Sequence, residues 1–483
     1  MRPAQASRAL CAAAGLMALI GCTVGPDYRR PQLDAPAAYV EDTGTSTTLT
    51  PAPAPAPAPA DGRLARWWEL FQDPTLDHLI EHALAHNLDL ESAVSRVRES
   101  RLKEREAGAA GYPSVSALGS AVDLRTNAAP GASALPIPSR LNLYTAGFDA
   151  SWELDLFGAT RRTVEEAKSG TQAVLWDERD GEVSLTAEIA NDYFSLRALQ
   201  ARIAVGGAEL ARQNDLFLLI QARRSAGFVT RLDVNQQQTL VATAAAQIPQ
   251  LEAEARARIH ALGLLIGEPP EYLESELRGS GGALPLPPPE LPSGLPARLL
   301  LRRPDVRAAE SRLAAKNAQV GVKTASLYPK VDLLGLAAFS GASDLFSSGN
   351  LLAAALGMIS EPLFDAGANR ARLDQAKEER TQAELAYRTA FLGALRDVED
   401  ALARHRYEEH RRESLVLAVS AAQGTLGIAE DRYETGFVTF VDVLQAQYVL
   451  LNAKDLLTQS DALVVTDLVA IYKALGGGWS GAD

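Results

Sequence analysis

Three histidines stand four residues apart in "HLIEHALAH": His78, His82 and His86. On a helix this spacing places them along one face, one arrangement from which imidazoles could ligate a metal ion. A solvated histidine row is the simpler reading and is adopted here, so no metal site is assigned. No phosphate-cradling glycine loop, nucleophile elbow or zinc-hydrolase motif occurs in the chain. Many Asp and Glu residues alternate with Arg at three- and four-residue spacing, the pattern of solvated helix faces and interhelix ion pairs. A formal charge of -13 without a Lys/Arg cluster also excludes a nucleic-acid partner. The chemistry legible in the side chains is therefore neither catalytic nor cofactor-bound, which turns attention to the elements that carry them.

With 483 residues, 47% of them apolar and 22% charged, the chain can bury a large core. Residues 1–21 place Arg2 and Arg8 before an apolar run from Ala9 to Ile20, the layout of a secretory signal and too short for a spanning helix. Its removal takes the formal charge from -13 to -15 and removes Cys11, which leaves Cys22 as the single cysteine and permits no disulfide within a protomer. "LIGC", Leu19 to Cys22, resembles the bacterial lipobox, in which that cysteine becomes the acylated first residue. By the same resemblance Thr23, in place of an aspartate, suits transfer to the outer membrane. From Thr50 to Asp61 the run "TPAPAPAPAPAD" predicts an extended polyproline spacer.

The rest of the chain is written twice. "GFVTRLDV" at Gly227 to Val234 returns as "GFVTFVDV" at Gly436 to Val443, an offset of 209 that already holds at Ala167-Lys168 against Ala376-Lys377. Upstream, the segment from Asp89 parallels the segment from Asp305, with Tyr112-Pro113 matching Tyr328-Pro329. A unit of this length is too long for a solenoid repeat and reads as one supersecondary unit used twice. The expected organisation is a signal peptide at 1–21, a lipidated segment with its linker at 22–72, a first repeat at 73–270, a Pro-rich connector at 271–297, a second repeat at 298–476 and a tail at 477–483.

Within each repeat the hydrophobic period changes. Asp73-Pro74 predicts a cap and first turn, with Leu76, Leu79, Ile80, Ala83 and Leu84 at helical spacing and a helix running to about Ala110. The absence of proline between Pro138 and Pro249, and after Pro362, permits two very long helices. From Ala159 to Ala226 a helix would span ~100 Å, a length normally seen in coiled-coil-like assemblies. Gly227 and Gly436 suit left-handed turns at the ends of these helices, with Thr230 and Thr439 as caps of the next, so the octets predict two equivalent helical hairpin tips. From Asn142 to Leu156 the period is two, with Tyr144, Phe148 and Trp152 on an apolar face and Asp149 and Glu153 on a polar one. Weaker alternation at Val115 to Thr126, and apolar runs at Val331 to Ser340 and Leu351 to Ser360, complete two predicted β-hairpins, 115–156 and 331–363. Their lengths fit transmembrane β-strands, and four strands cannot close around a lumen without further copies of the chain.

The motifs "RYETGFVTFVDVLQAQ" (Arg432 to Gln447), "SWELDLFG" (Ser151 to Gly158), "QIPQLE" (Gln247 to Glu252) and "RRPDVRAAE" (Arg302 to Glu310), with the two Tyr-Pro sites before strands, resemble the TolC-like outer membrane factor family in its lipoprotein, NodT-type efflux branch. The resemblance implies an α+β fold: an internally duplicated protomer of very long helices plus four strands, trimerising into a 12-stranded transmembrane β-barrel continued by a periplasmic α-helical barrel. It implies a passive duct for small molecules (drugs, toxic compounds or metal ions), served by an inner-membrane pump through a periplasmic adaptor and closed by an iris-like periplasmic gate. Gly227, Phe228, Val229, Gly436, Phe437 and Val438 would then meet the adaptor. Asp442 falls on a ring position of the periplasmic gate, Asp233 on its equivalent, and Tyr433 on an aromatic that holds the closed state. Gln445 stands where a second aspartate is common, and Val441 supplies an apolar ring instead. A single carboxylate ring selects cations more weakly than two. Asp233 and Asp442 also suit the first turn of a helix, where the dipole favours them. A protein-secretion duct and a lipid-tethered coiled-coil scaffold without a pore are the alternative readings.

Overall fold

The proline-free stretches are the longest elements of the molecule. The computed structural model describes residues 23–34, 36, 39–41, 64–125, 140–278, 297–342 and 344–479. Cys22, the signal segment and the Ala-Pro run lie outside the described residues. In chain order the elements are α1 (Pro74–His86), α2 (Leu88–Ala109), β1 (Ser114–Arg125), β2 (Arg140–Leu154), α3 (Ala159–Ser225), α4 (Arg231–Leu265), α5 (Pro304–Ala325), β3 (Lys330–Gly341), β4 (Leu351–Ser360), α6 (Ala368–Glu434) and α7 (Phe440–Ala474). The duplication keeps the length of most elements: α3 and α6 each have 67 residues, α4 and α7 each 35, α2 and α5 each 22, and β1 and β3 each 12, whereas β2 has 15 and β4 has 10. No helix among the described residues is long and apolar enough to cross a membrane.

One expectation is corrected. The helix predicted from Pro74 to about Ala110 breaks at Asn87, which takes extended backbone (φ -66°, ψ 126°). Its Nδ2 donates to the Leu265 carbonyl at 2.8 Å while its Oδ1 accepts from the N–H of Leu90 at 2.9 Å. A tertiary bond and a new N-cap thus outcompete helix continuation. At the other end of α1, Asp73 caps as expected, accepting from the N–H groups of Thr75 and Leu76.

Two compact units divide the chain. The first contains a four-stranded antiparallel sheet in the order β1-β2-β3-β4. The second repeat's hairpin thus pairs directly with the first's, Trp152 opposite Leu333 and Phe148 opposite Ala337. β3 leaves no room for a side chain at Gly147, since a Cβ there would lie 2.4 Å from the Ala337 carbonyl oxygen and the Ala338 Cα. The N-terminal segment is fastened to the same unit. Arg162, 4% exposed, ion-pairs with Asp27 at 2.7 Å and reaches the carbonyls of Val24 and Gly25. Asn317 adds a bond to the Pro26 carbonyl, and Arg30 pairs with Glu310.

The second unit is built on a core in which Trp67, Trp68 and Phe71 pack with Leu76, Ile80, Ile189, Tyr193, Phe194, Leu468 and Tyr472. On α3 beside it, burial and then the charge of Glu178 push the Glu182 carboxyl up to about 7 from 4.5, with Arg179 opposing. A raised carboxyl binds its proton more tightly in the folded state. Its stabilising contribution is therefore complete below about pH 4.5 and is lost as pH rises through about 7. Glu182→Gln is expected to raise stability by about 1–2 kcal/mol at pH 8, allowing for solvent screening, and to change nothing at pH 4.5. Thermal denaturation at the two pH values measures the difference.

Candidate functional site

Each octet builds its turn from the same parts. At the end of α3, the Gly227 N–H donates to the Arg224 carbonyl at 2.9 Å and the Phe228 N–H to the Arg223 carbonyl at 2.9 Å. At the end of α6, Gly436 donates to Tyr433 at 3.1 Å and Phe437 to Arg432 at 2.9 Å. These are paired Schellman closures, and they need the left-handed backbone that Gly227 (φ 81°) and Gly436 (φ 79°) supply. A Cβ at either glycine would meet nothing within 4 Å, so the requirement is conformational and not steric. Thr230 and Thr439 then open the next helices through reciprocal capping boxes with Asp233 and Asp442.

The capping boxes define what the two aspartates do locally. In each, one carboxylate oxygen accepts from both the threonine N–H and hydroxyl, at 2.7 and 2.7 Å for Asp233 and 2.8 and 2.7 Å for Asp442. The Thr439 hydroxyl and then its N–H hold the Asp442 carboxyl below the usual carboxylate range. Asp442 therefore stays charged at neutral pH, and it is solvent-exposed. Val441 and Gln445, on the same first turns of α7, are exposed as well.

The tips depart from ordinary Schellman chemistry in one respect. The residue after the glycine commonly folds back onto the helix it follows, yet Phe228 and Phe437 are 81% and 84% exposed. Val229 and Val438 beside them are half-buried. Two aromatic rings are thus held outward on rigid turns, an arrangement suited to burial against a partner.

Tyr433 is fixed by two neighbours that sequence reading did not single out. The Arg223 guanidinium lies 5.2 Å from its ring centroid, and the Phe440 ring packs at 5.5 Å. Tyr433 thereby joins the ends of α3 and α6 to the start of α7. Phe440 is 5% exposed, in a cluster with Ile220, Leu426, Val443 and Leu450. Its counterpart in the first octet is Arg231, which is exposed. That difference between the octets was the available signal that the two tips are not equivalent inside. Further along the helices, Gln213, Gln237 and Gln447 form a buried amide cluster, with Gln213 donating to Gln447 at 3.1 Å and Gln237 donating to Gln213 at 2.6 Å. Gln213 and Gln237 correspond to Ala422 and Ala446 in the second copy, so this polar tie exists once per chain.

The histidine row is elsewhere, on α1. His78 and His82 have ring centroids 6.0 Å apart, and His82 and His86 stack at 4.4 Å. His86 Nδ1 is bonded to the His82 carbonyl at 3.0 Å. The rings follow one another along a helix face, and among the described residues no three His, Cys, Asp or Glu side chains form a group that could hold a metal ion.

With this geometry described, comparison with known proteins is decisive. The outer membrane efflux protein family matches residues 79–268 and 295–477. The chain belongs to that family. Its TolC-like, NodT-type membership follows from relatives such as the Pseudomonas aeruginosa pyoverdine export outer membrane protein OpmQ, 33% identical over 86% of this chain and 88% of that protein. Nodulation protein T of Rhizobium leguminosarum bv. trifolii is 30% identical over 89% and 88%. The Pseudomonas putida solvent efflux pump outer membrane protein SrpC is 31% identical over 96% and 97%. The solved outer-membrane channel OprN superposes with a TM-score of 0.85 at 36% identity, covering 95% of this chain and all of that one. The Vibrio cholerae outer membrane protein VceC gives 0.78 at 28% identity over 88% of this chain and 100% of its own. This outer membrane efflux protein is thus a TolC-like channel protein of the outer membrane and not an enzyme.

Proposed function

We propose that this efflux protein is the exit duct of a tripartite system, a homotrimer that passively passes small molecules delivered by an inner-membrane pump through a periplasmic adaptor. The observation that carries the reading is the four-stranded sheet in which β1 and β4 are edge strands, each paired on one side only among the described residues. An open edge in lipid leaves backbone groups unsatisfied at several kcal/mol each, and pairing β4 of one chain with β1 of the next removes all the edges at once. Cys22, next to the fastened segment that begins at Thr23, is the lipidated residue in this proposal. The domain limits given above are retained with it.

Asp233, Tyr433, Val441, Asp442 and Gln445 are assigned to the periplasmic gate, and Gly227, Phe228, Val229, Gly436, Phe437 and Val438 to the adaptor surface. The capping role of the aspartates does not compete with gating, because it occupies one carboxylate oxygen and leaves Asp442 exposed and Asp233 half-exposed. Six outward Phe rings per trimer, at near-equivalent turns, offer a pseudo-six-fold surface to the adaptor.

The native mass of the detergent-extracted protein tests the assembly: a trimer is expected, and a monomer in an outer-membrane fraction would remove the basis for a channel. Gly436→Pro tests the tips. Proline fixes φ near -65° and lacks the N–H that Gly436 donates, whereas asparagine tolerates the left-handed region. Export by Gly436→Pro is expected to fall about ten-fold or more with trimers intact, while Gly436→Asn retains most of it, since its backbone cost is about 1–2 kcal/mol at most. Equal export by both variants would detach the tips from pump coupling.

A further inference from the structure

Facing residues of an antiparallel pair project to the same side of the sheet, so the strand registers sort every side chain between two faces. One face carries Tyr144, Phe148, Trp152 and Leu154 of β2 with Leu333, Ala337 and Phe339 of β3 and Leu351, Ala353 and Ile359 of β4. It is apolar across the middle of all four strands, and its aromatic residues suit lipid. The opposite face is polar on part of β1 and β2, where Ser114, Ser116, Asp149, Ser151 and Glu153 lie, with Ser120 and Thr145 further along among the apolar Leu118, Val122 and Leu143. That face holds the Ser114–Ser151 hydroxyl contact at 2.8 Å and the Lys330–Glu153 ion pair at 3.6 Å. Charges of this kind exclude it from the lipid side.

On β3 and β4 the same polar-side face changes character. Leu334 stands opposite Leu356, Leu336 opposite Ala354 and Ala338 opposite Leu352. These residues share their heights with polar neighbours, because Leu334 also pairs with Ser151 and Leu336 with Asp149. Leu334, Leu352, Leu356 and Met358 are exposed. A side that cannot face lipid thus presents an aliphatic row in which Leu334, Leu352 and Leu356 are exposed and Leu336 is half-buried.

We infer that the barrel lumen is two-toned at the heights of Leu334 and Leu336, with a polar stripe from β1–β2 and an aliphatic stripe from β3–β4 alternating three times around the trimer, and that it favours amphiphilic organic solutes over small inorganic or fully polar ions. The inference rests on the trimeric duct proposed above. An amphiphile can place its aliphatic part on Leu336, Leu352 and Leu356 while Asp149, Ser151 and Ser116 solvate its polar part. Contact with the stripe removes apolar surface from water and lengthens residence in the lumen.

The test uses full-length trimers in planar bilayers, with tetrapentylammonium and tetramethylammonium as probes of equal charge and different apolar area. Tetrapentylammonium is expected to block the wild-type current with a residence at least about ten-fold longer than tetramethylammonium, and Leu336→Ser/Leu352→Ser/Leu356→Ser is expected to abolish that difference. Equal residence of the two probes in a conducting wild-type channel overturns the aliphatic stripe alone. Trimers without any conductance overturn the duct reading on which it rests. If the triple variant does not assemble, thiol labelling decides: Leu336→Cys is expected to react with a membrane-impermeant maleimide and Ala337→Cys is not, and the reverse result places the leucines towards lipid and overturns the inference.

Discussion

Phe148→Arg is expected to eliminate trimers from the outer membrane, whereas Asp149→Arg, one residue along the same strand, is expected to leave them assembled. Successive residues of β2 project to opposite faces of the sheet. Phe148, 62% exposed, lies near the middle of the strand on the face with Tyr144 and Trp152. A guanidinium at the midplane of a barrel's lipid face costs about 2–4 kcal/mol, and a closed trimer meets that cost three times. Asp149 faces Ser116 across β1 on the polar side, where an arginine remains in water and reverses a lumen charge. Native mass after detergent extraction reads assembly, and reversal potential reads the charge. Two variants of the same chemistry and opposite outcome would establish which face meets lipid. Failure of both, or survival of both, would contradict the sorting of faces on which the barrel and its aliphatic stripe depend.

The strands and tips were legible because their signals are local. Alternation from Asn142 to Leu156 finds β2 at Arg140–Leu154, and each tip is marked by a glycine at positive φ followed by a Thr-x-x-Asp box. Even the run Leu351–Ser360, which lacks alternation, was placed by its match to the first copy. The reason for its missing period emerges only from the register: β4 is apolar on both sides. What the sequence concealed depends on contacts across long separations. Asn87 ends α1 because the Leu265 carbonyl, 178 positions away, binds its amide. Gln213, Gln237 and Gln447 carry no signal in the sequence that sets them apart, yet they are buried where three helices bring them together and their amides bond to one another. Arg223 and Phe440 flank Tyr433 for the same reason. Repetition directed attention to what the octets share, whereas the packing at the tip follows from the position where they differ, Arg231 against Phe440.

Trp67→Ala is expected to destabilise the second unit by about 3–5 kcal/mol, the usual cost of emptying a buried aromatic site. Trp67 is fully buried and stacks on Tyr472 with centroids 5.4 Å apart and planes 9° from parallel, while Trp68 and Phe71 meet it edge-on. It fastens the chain just before α1 to the last turns of α7, where the Gly478 N–H also bonds to the Leu64 carbonyl at 2.9 Å. Among the described residues its buried indole nitrogen has no hydrogen-bond partner, so its contribution there comes from packing and stacking. Trp67→Phe should therefore cost less than half as much as the alanine, because it keeps the aromatic stack and exposes no orphaned acceptor. Thermal unfolding followed by circular dichroism, with limited proteolysis at the junction before α1, would measure both. A loss as large for phenylalanine as for alanine would mean that the site requires the full indole volume and not an aromatic face. A loss near zero for both would show that the ends of this unit are held by the backbone bond at Leu64 and the helices alone.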